Sequence, residues 1–322
     1  MKSMAVMKNV LETIGNTPLV NLERLVKYWQ LEGRILAKLD NLNPTGSKKD
    51  RIALGMIREA ERKGLLKPGQ TVIEETSGNT GNGLALVCSI LGYPFIAVMS
   101  KGNSIERVRV SQALGAKVVR VDQAPSSKPG AVSSADMDLV MAETERLTKE
   151  LGAFYVGQFS NADNALSQEA TGDEMWEQSG GKIDAIADFI GTGGGFTGIA
   201  TSMRRHNPNA RCYVVEPANV PYYGKDKNEP KEGGHRIQGG GYGREIPFLD
   251  RALITDCVSV TDDEAIEGVR LLSSMEGIFS GFSSGAHAAA ARKLLQGPEK
   301  GKTVAIVICD TGLKYLSTDL YS

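Results

Sequence analysis

Two lysines stand side by side in Ser47-Lys48-Lys49-Asp50-Arg51, and a turn of small hydroxyl, amide and glycine residues follows at Thr76-Ser77-Gly78-Asn79-Thr80-Gly81. An unprotonated lysine amine attacks a carbonyl carbon and forms a Schiff base. Desolvation or neighbouring cations lower the lysine pKa enough for that to happen near neutral pH. The turn at 76–81 lies where a strand expected over 71–76 meets a helix expected from about Asn79. Backbone N–H groups at a helix start, with hydroxyls beside them, suit a carboxylate. The bland alternative is a capped tight turn, but a cap needs one hydroxyl and this turn has more than that.

Three other glycine-rich turns invite chemical readings. Gly191-Thr192-Gly193-Gly194-Gly195 follows the apolar run 185–190 and precedes a helical pattern. Residues 193–198 spell GxGxxG, and Glu216 ends the next strand about 20 residues on, as a nicotinamide-binding unit requires. A phosphate resting on backbone N–H groups at a helix N-terminus needs the same glycines and no adenosine, and the pattern alone does not separate the two. Gly281-Phe282-Ser283-Ser284-Gly285 fits GxSxG ahead of a helix expected over 286–295. A hydrolase elbow needs an acid and then a histidine farther along the chain. The only later histidine is His287, in the same helix, so a serine hydrolase is rejected and Ser284 is left as a candidate N-cap. Gly297-Pro298-Glu299-Lys300-Gly301-Lys302-Thr303 nearly spells a Walker loop, but it is one residue short and precedes a strand, so it reads as a surface turn. His206, His235 and His287 have no ligand spacing, and no metal site is expected.

The elements that must position these residues alternate. Strands are expected over 34–39, 71–76, 95–100, 116–122, 154–157, 185–190, 212–216 and 303–309, several of them continuous apolar runs of the kind buried on both faces. Helical patterns lie between most of them. Ile52, Met56, Ile57 and Ala60 form one inward face opposite Arg58, Glu59, Glu61 and Arg62, and a second helix over 136–151 carries Met137, Val140, Met141 and Leu147. This alternation predicts an α/β protein of doubly wound parallel sheets, whose ligands sit at the carboxyl ends of strands. A length of 322 residues allows two domains. The net charge of −1 offers no basic surface for nucleic acid or anionic membrane. The longest apolar region, 84–99, is broken by Gly92, Tyr93 and Pro94 and is too interrupted for a membrane span. The first fifteen residues lack the apolar core of a signal peptide. Cys88, Cys212, Cys257 and Cys309 form no CxxC, which predicts free thiols and a cytoplasmic location.

Taken in order, these pieces resemble the cysteine synthase family of pyridoxal-phosphate enzymes, which has cystathionine β-synthases among its members. The resemblance runs through Ile14-Gly15-Asn16-Thr17-Pro18-Leu19, the lysine motif from Asn43 to Arg51, the 76–81 turn, Ser104-Ile105-Glu106-Arg107, Gln158-Phe159-Ser160-Asn161, the 191–198 loop, Ile237-Gln238-Gly239, Ser283 and the ending Gly312-Leu313-Lys314-Tyr315-Leu316-Ser317-Thr318. It implies fold type II, like tryptophan synthase β, with a smaller mobile domain over 45–157, a larger phosphate-binding domain over 1–44 plus 158–322, the cofactor in the cleft between them, and a homodimer.

The resemblance also implies site roles. Lys49 is the Schiff-base lysine and the base for the α-proton. Asn79 meets the ring oxygen of pyridoxal 5'-phosphate, and Gly191, Thr192, Gly193, Gly194 and Gly195 hold its phosphate. Ser283 meets the ring nitrogen, while Thr76, Ser77, Asn79, Thr80 and Gln158 receive the substrate carboxylate. Lys48 reads as a solvated surface lysine. A neutral hydroxyl at the ring nitrogen makes a weak electron sink, which favours β-replacement or β-elimination through an aminoacrylate and disfavours transamination. The activity implied is cysteine synthesis from O-acetyl-L-serine and sulfide. Cysteine desulfhydration, cystathionine-type condensation or addition of another nucleophile are the near alternatives, and an NAD-dependent dehydrogenase is the distant one. The chain departs from the family at Gly195, where many relatives carry threonine. It departs again at Tyr242, which could act as an acid/base, shape the nucleophile pocket or pack over the cofactor. The segment 220–234 is expected to border that pocket.

Overall fold

All eight expected strands are present, together with two that the pattern did not announce. The computed structural model describes residues 6–128, 132–224, 234–247 and 249–322. Among these the order is β1 (Leu19–Asn21), α1 (Glu23–Tyr28), β2 (Arg34–Lys38), α2 (Lys49–Arg62), β3 (Val72–Glu75), α3 (Asn79–Leu91), β4 (Phe95–Ser100), α4 (Ile105–Ala113), β5 (Lys117–Val121), α5 (Ser134–Leu151) and β6 (Phe154–Tyr155). Then come α6 (Asp163–Gln178), β7 (Ala185–Phe189), α7 (Gly194–His206), β8 (Arg211–Pro217), β9 (Asp256–Val260), α8 (Asp262–Glu276), α9 (Phe282–Gln296) and β10 (Thr303–Val307). The unannounced strands are β1, three residues long and half-exposed, and β9, an edge strand. Neither buries a continuous apolar run, so neither carries the signal that marks β7 or β10.

The chain forms two compact units: residues 1–14 with 49–164, and residues 15–48 with 165–322. Lys49 therefore opens the smaller unit, Lys48 closes the first segment of the larger, and residues 1–14 and 158–164 group with the smaller one.

The smaller unit holds a parallel sheet in the order β5-β4-β3-β6. Helices α2 and α3 pack one face through Ile52, Met56, Ile57, Leu84 and Val87. Helix α5 covers the other face with Val140, which meets Ile73, Ile96 and Val98. The inward face of α2 is the one read from the sequence, and its outer face carries the pairs Arg58–Glu61 and Arg62–Glu59. The reading of α5 is corrected. Its buried line is Asp136, Val140 and Thr144, while Met137 and Met141 are exposed. Residues at i, i+4 and i+8 share a face, and the methionines lie one position further round the helix.

The larger unit holds a sheet in the order β1-β2-β10-β7-β8-β9, parallel except for the antiparallel β1. Helices α1, α8 and α9 cover one face and α7 the other. In each unit the chain builds outward from one strand and later returns to that strand's other side. The crossovers place switch points between β3 and β6 and between β7 and β10. Ligands of doubly wound sheets bind at such points, beyond the carboxyl ends of the strands.

Candidate active site

In the smaller unit the switch point is flanked by the 76–81 turn after β3 and by Gly157 and Gln158 after β6. The N-cap of α3 is Gly78, which offers no side chain, and Thr76 Oγ1 caps the helix instead by accepting the Gly81 N–H at 3.0 Å. One hydroxyl thus meets the capping need, and the others are engaged elsewhere. Thr80 Oγ1 donates to Gln158 Oε1 at 2.7 Å, joining the two sides of the crevice. Arg107 donates toward the Ser77 carbonyl at 3.3 Å. Asn79 is the first residue of α3, and Lys49 the first residue of α2.

Gln158 is held from behind by two glutamates that sequence reasoning passed over. Glu74 accepts the N–H groups of Gly157 and Gln158 at 2.7 and 3.2 Å, and the Gln158 amide donates to the Glu75 carbonyl at 3.3 Å. Burial, with Glu75 beside it, pushes the Glu74 carboxyl well above the usual carboxylate range, against the pull of those two N–H groups. The available signal was a pair of charged residues ending an otherwise apolar buried strand. Arg107 was quoted in a motif, but nothing local shows that it reaches back to Ser77.

In the larger unit the corresponding turn is 191–195, between β7 and the thirteen-residue α7. Gly193 is the N-cap at φ 83, a left-handed conformation that favours glycine. Gly191 has a different reason to lack a side chain: a Cβ there would lie 2.5 Å from the Gly239 carbonyl oxygen. The Gly241 N–H donates to the Ile190 carbonyl at 2.8 Å, so the turn and the segment after Gln238 lie backbone against backbone. Thr192 is buried, and Gly194 and Gly195 form the first turn of α7. The result is a row of backbone N–H groups at the positive end of a helix, a geometry that suits a phosphate.

Ser283 is buried in the first turn of α9, which begins four residues earlier than expected. The N-cap expectation for Ser284 fails. Gly281 is the cap, and Ser284 Oγ instead accepts the Cys309 N–H at 2.9 Å, tying α9 to the strand end after β10. The turn at 297–303 is only partly a surface feature, because Glu299 is fully buried and receives Arg211 and the Tyr213 hydroxyl.

Lys48 requires the largest correction. It is 8% exposed, its N–H donates to the Cys309 carbonyl at 2.8 Å, and its ammonium donates to Asp188 Oδ1 at 3.0 Å. Burial opposes the Lys48 charge, but attraction to Asp188, Cys309 and Asp40 together outweighs it and the ammonium pKa is raised; burial likewise opposes the Asp188 charge, and Lys48 with His287 holds that carboxyl well below the usual carboxylate range. The partner is far away in sequence, so a charged residue next to another charged residue looked solvated. His287 completes the cluster. Its Nδ1 faces the Val307 carbonyl at 2.6 Å, and its Nε2 lies 2.6 Å from the Phe189 N–H and 3.2 Å from Asp188 Oδ1. Ligand atoms of Asp188, His287 and Cys309 lie within 4.8 Å of one another. Both ring nitrogens are already hydrogen-bonded, and the Lys48 ammonium is a cation built into the cluster.

Glu216 is 4% exposed, and its carboxylate accepts the N–H groups of Tyr222, Tyr223 and Gly224 at 2.8, 3.0 and 2.8 Å. It organises the start of the 220–234 segment, a structural task that competes with the ribose contact a dinucleotide site would ask of it. Residues 225–233 of that segment lie outside the described residues. Tyr242 is 47% exposed beside Arg244 and lines a shallow surface hollow with Ile190, Glu216 and Val220.

Comparison with known proteins agrees with this geometry. A family model described as pyridoxal-phosphate dependent enzyme matches residues 10–310. Cysteine synthase 3 of Caenorhabditis elegans is 39% identical over 97% of this chain and 89% of its own length. Cystathionine beta-synthase of Apis mellifera is 36% identical over 97% of this chain, which spans 61% of that enzyme. The crystal structure of O-acetyl serine sulfhydrylase isoform 3 from Entamoeba histolytica superposes with a TM-score of 0.90 at 34% identity, covering 100% of this chain and 93% of that one.

Proposed function

Because the chain belongs to the pyridoxal-phosphate dependent enzymes, we propose that it is a cysteine synthase: it replaces the β-substituent of O-acetyl-L-serine with sulfide, giving L-cysteine and acetate. The observation that carries the cofactor assignment is the 191–195 turn, where a Cβ at Gly191 would collide with backbone and the first N–H groups of α7 line up at a β7–β10 switch point. That cradle and the neutral hydroxyl of Ser283 fit the cofactor's phosphate and ring nitrogen. When bound, the cofactor supplies an electron sink for the α-carbon of an attached amino acid.

Each residue then has a defined task. Lys49 would hold the cofactor through its amine and would serve as the base for the substrate's α-proton. Thr76, Ser77, Asn79 and Thr80, with the N–H groups starting α3, receive the substrate carboxylate. Gln158 completes that site and is held in place by Thr80 and Glu74. Asn79 also fixes the ring oxygen. Ser283 would offer the ring nitrogen a hydroxyl and no charge, a setting that would restrict the sink and suit β-replacement better than transamination. Tyr242 borders the nucleophile side.

A second reading, condensation with a larger thiol such as homocysteine, is favoured by the 36% identity to the cystathionine beta-synthase of Apis mellifera. Family likeness supports a homodimer, which light scattering would test. The four free cysteines support a reducing, cytoplasmic location.

The test is the visible absorption spectrum of the purified protein before and after O-acetyl-L-serine. Sulfide and homocysteine are then compared as the reagent that restores the starting spectrum. The expected result is a band that changes with O-acetyl-L-serine and returns with sulfide, and its absence in Lys49→Ala. A Lys49→Ala protein with the native spectrum would sink the assignment of Lys49.

A further inference from the structure

Lys48 is buried at an unusual place for a cation. A Cβ at Gly195 would lie 3.1 Å from its Nζ and 2.8 Å from Asp188 Oδ2, so the ammonium reaches the first turn of α7. A helix N-terminus carries the positive end of the macrodipole and disfavours a cation. Asp188 is the carboxylate hydrogen-bonded to the ammonium, and its Oδ1 also lies 3.2 Å from His287 Nε2, so it is shared between two groups. The ammonium has three donors. Among the described residues its one hydrogen bond goes to Asp188. A buried ammonium with donors to spare, set against the positive end of a helix, is completed by an anion.

The same atoms explain the departure at Gly195. A side chain at position 195 would project from this turn. In this chain the space such a side chain would enter is taken by Lys48 Nζ and Asp188. The geometry points to Lys48 as a direct ligand of the phosphate monoester held at 191–195, with Asp188 clamping the ammonium in place. This rests on the phosphate assignment of the preceding subsection.

The test uses the full-length apo-protein and two probes, inorganic phosphate by phosphorus NMR titration and a paired comparison of pyridoxal phosphate with pyridoxal by absorbance. The variant is Lys48→Met with Asp188→Asn, which removes both charges together and leaves no unpaired ion. We expect inorganic phosphate and pyridoxal phosphate to bind at least tenfold more weakly, with pyridoxal changed less than threefold. Lys48→Gln in the same titrations carries the test if the double variant does not fold. Unchanged phosphate affinity would overturn the role of Lys48. So would equal losses for pyridoxal and pyridoxal phosphate, the mark of a structural staple. A wild-type protein that binds inorganic phosphate in a Lys48-dependent way but takes up no pyridoxal phosphate would refute the proposed function and leave Lys48 as an anion ligand.

Discussion

Gly191→Ala should weaken the phosphate cradle by a calculable amount. The glycine is not in a left-handed conformation, so the cost of a methyl group is steric. Its Cβ would meet the Gly239 carbonyl oxygen at 2.5 Å, whereas carbon–oxygen contacts ordinarily begin at about 3.3 Å. Roughly 0.8 Å of separation must be found between two backbone segments that the Gly241-to-Ile190 hydrogen bond holds together. Overpacking of this kind costs about 1–3 kcal/mol. If the shift falls on the turn, affinity for pyridoxal phosphate drops by about 5- to 150-fold at 1.4 kcal/mol per tenfold. If it falls on the segment after Gln238, the loss appears in the urea unfolding free energy instead. Titration of the apo-protein and urea unfolding measured together should account for the full cost. Gly64→Ala, at a left-handed position with open space around it, serves as a control that lowers stability without touching affinity. A Gly191→Ala protein within about 0.3 kcal/mol of wild type in both measurements would refute the close-approach argument, because that is the usual scatter of independent sites.

Two further outcomes follow from the hydrogen bonds and charges. Thr80→Val leaves Gln158 Oε1 without its 2.7 Å donor. A penalty of about 1–2 kcal/mol should raise KM for the amino-acid substrate roughly 5- to 30-fold in steady-state kinetics; an unchanged KM would remove Thr80 from the substrate site. The second outcome concerns acid stability. The Asp188 pKa is depressed in the folded protein by its pairing with Lys48, so its stabilisation is fully present above the unfolded value of about 4 and is lost as pH falls below that. Asp188→Asn should flatten the acid limb of the urea midpoint below about pH 4. A limb as steep as that of the wild type would show that other carboxylates set it.

The sequence determined what is local. Largely apolar runs at 95–100, 185–190 (broken only by Asp188) and 303–309 mark strands buried on both faces, and the glycines at 191–195 and the small polar residues at 76–81 mark sharp turns into helices. A parallel α/β architecture and two ligand-binding turns follow, because these signals need only neighbouring residues to be read. The tertiary structure alone decided which hydroxyl caps α3, why Gln158 is held, and what Lys48 does. The Lys48–Asp188 pair spans 140 residues, and Glu74 meets the Gln158 N–H across 84. Such pairings depend on strand order, which puts β3 beside β6 and β7 beside β10. A charged residue in a motif looks solvated until the sheet brings its counter-charge alongside, because burial and pairing are properties of the packed interior rather than of the residue.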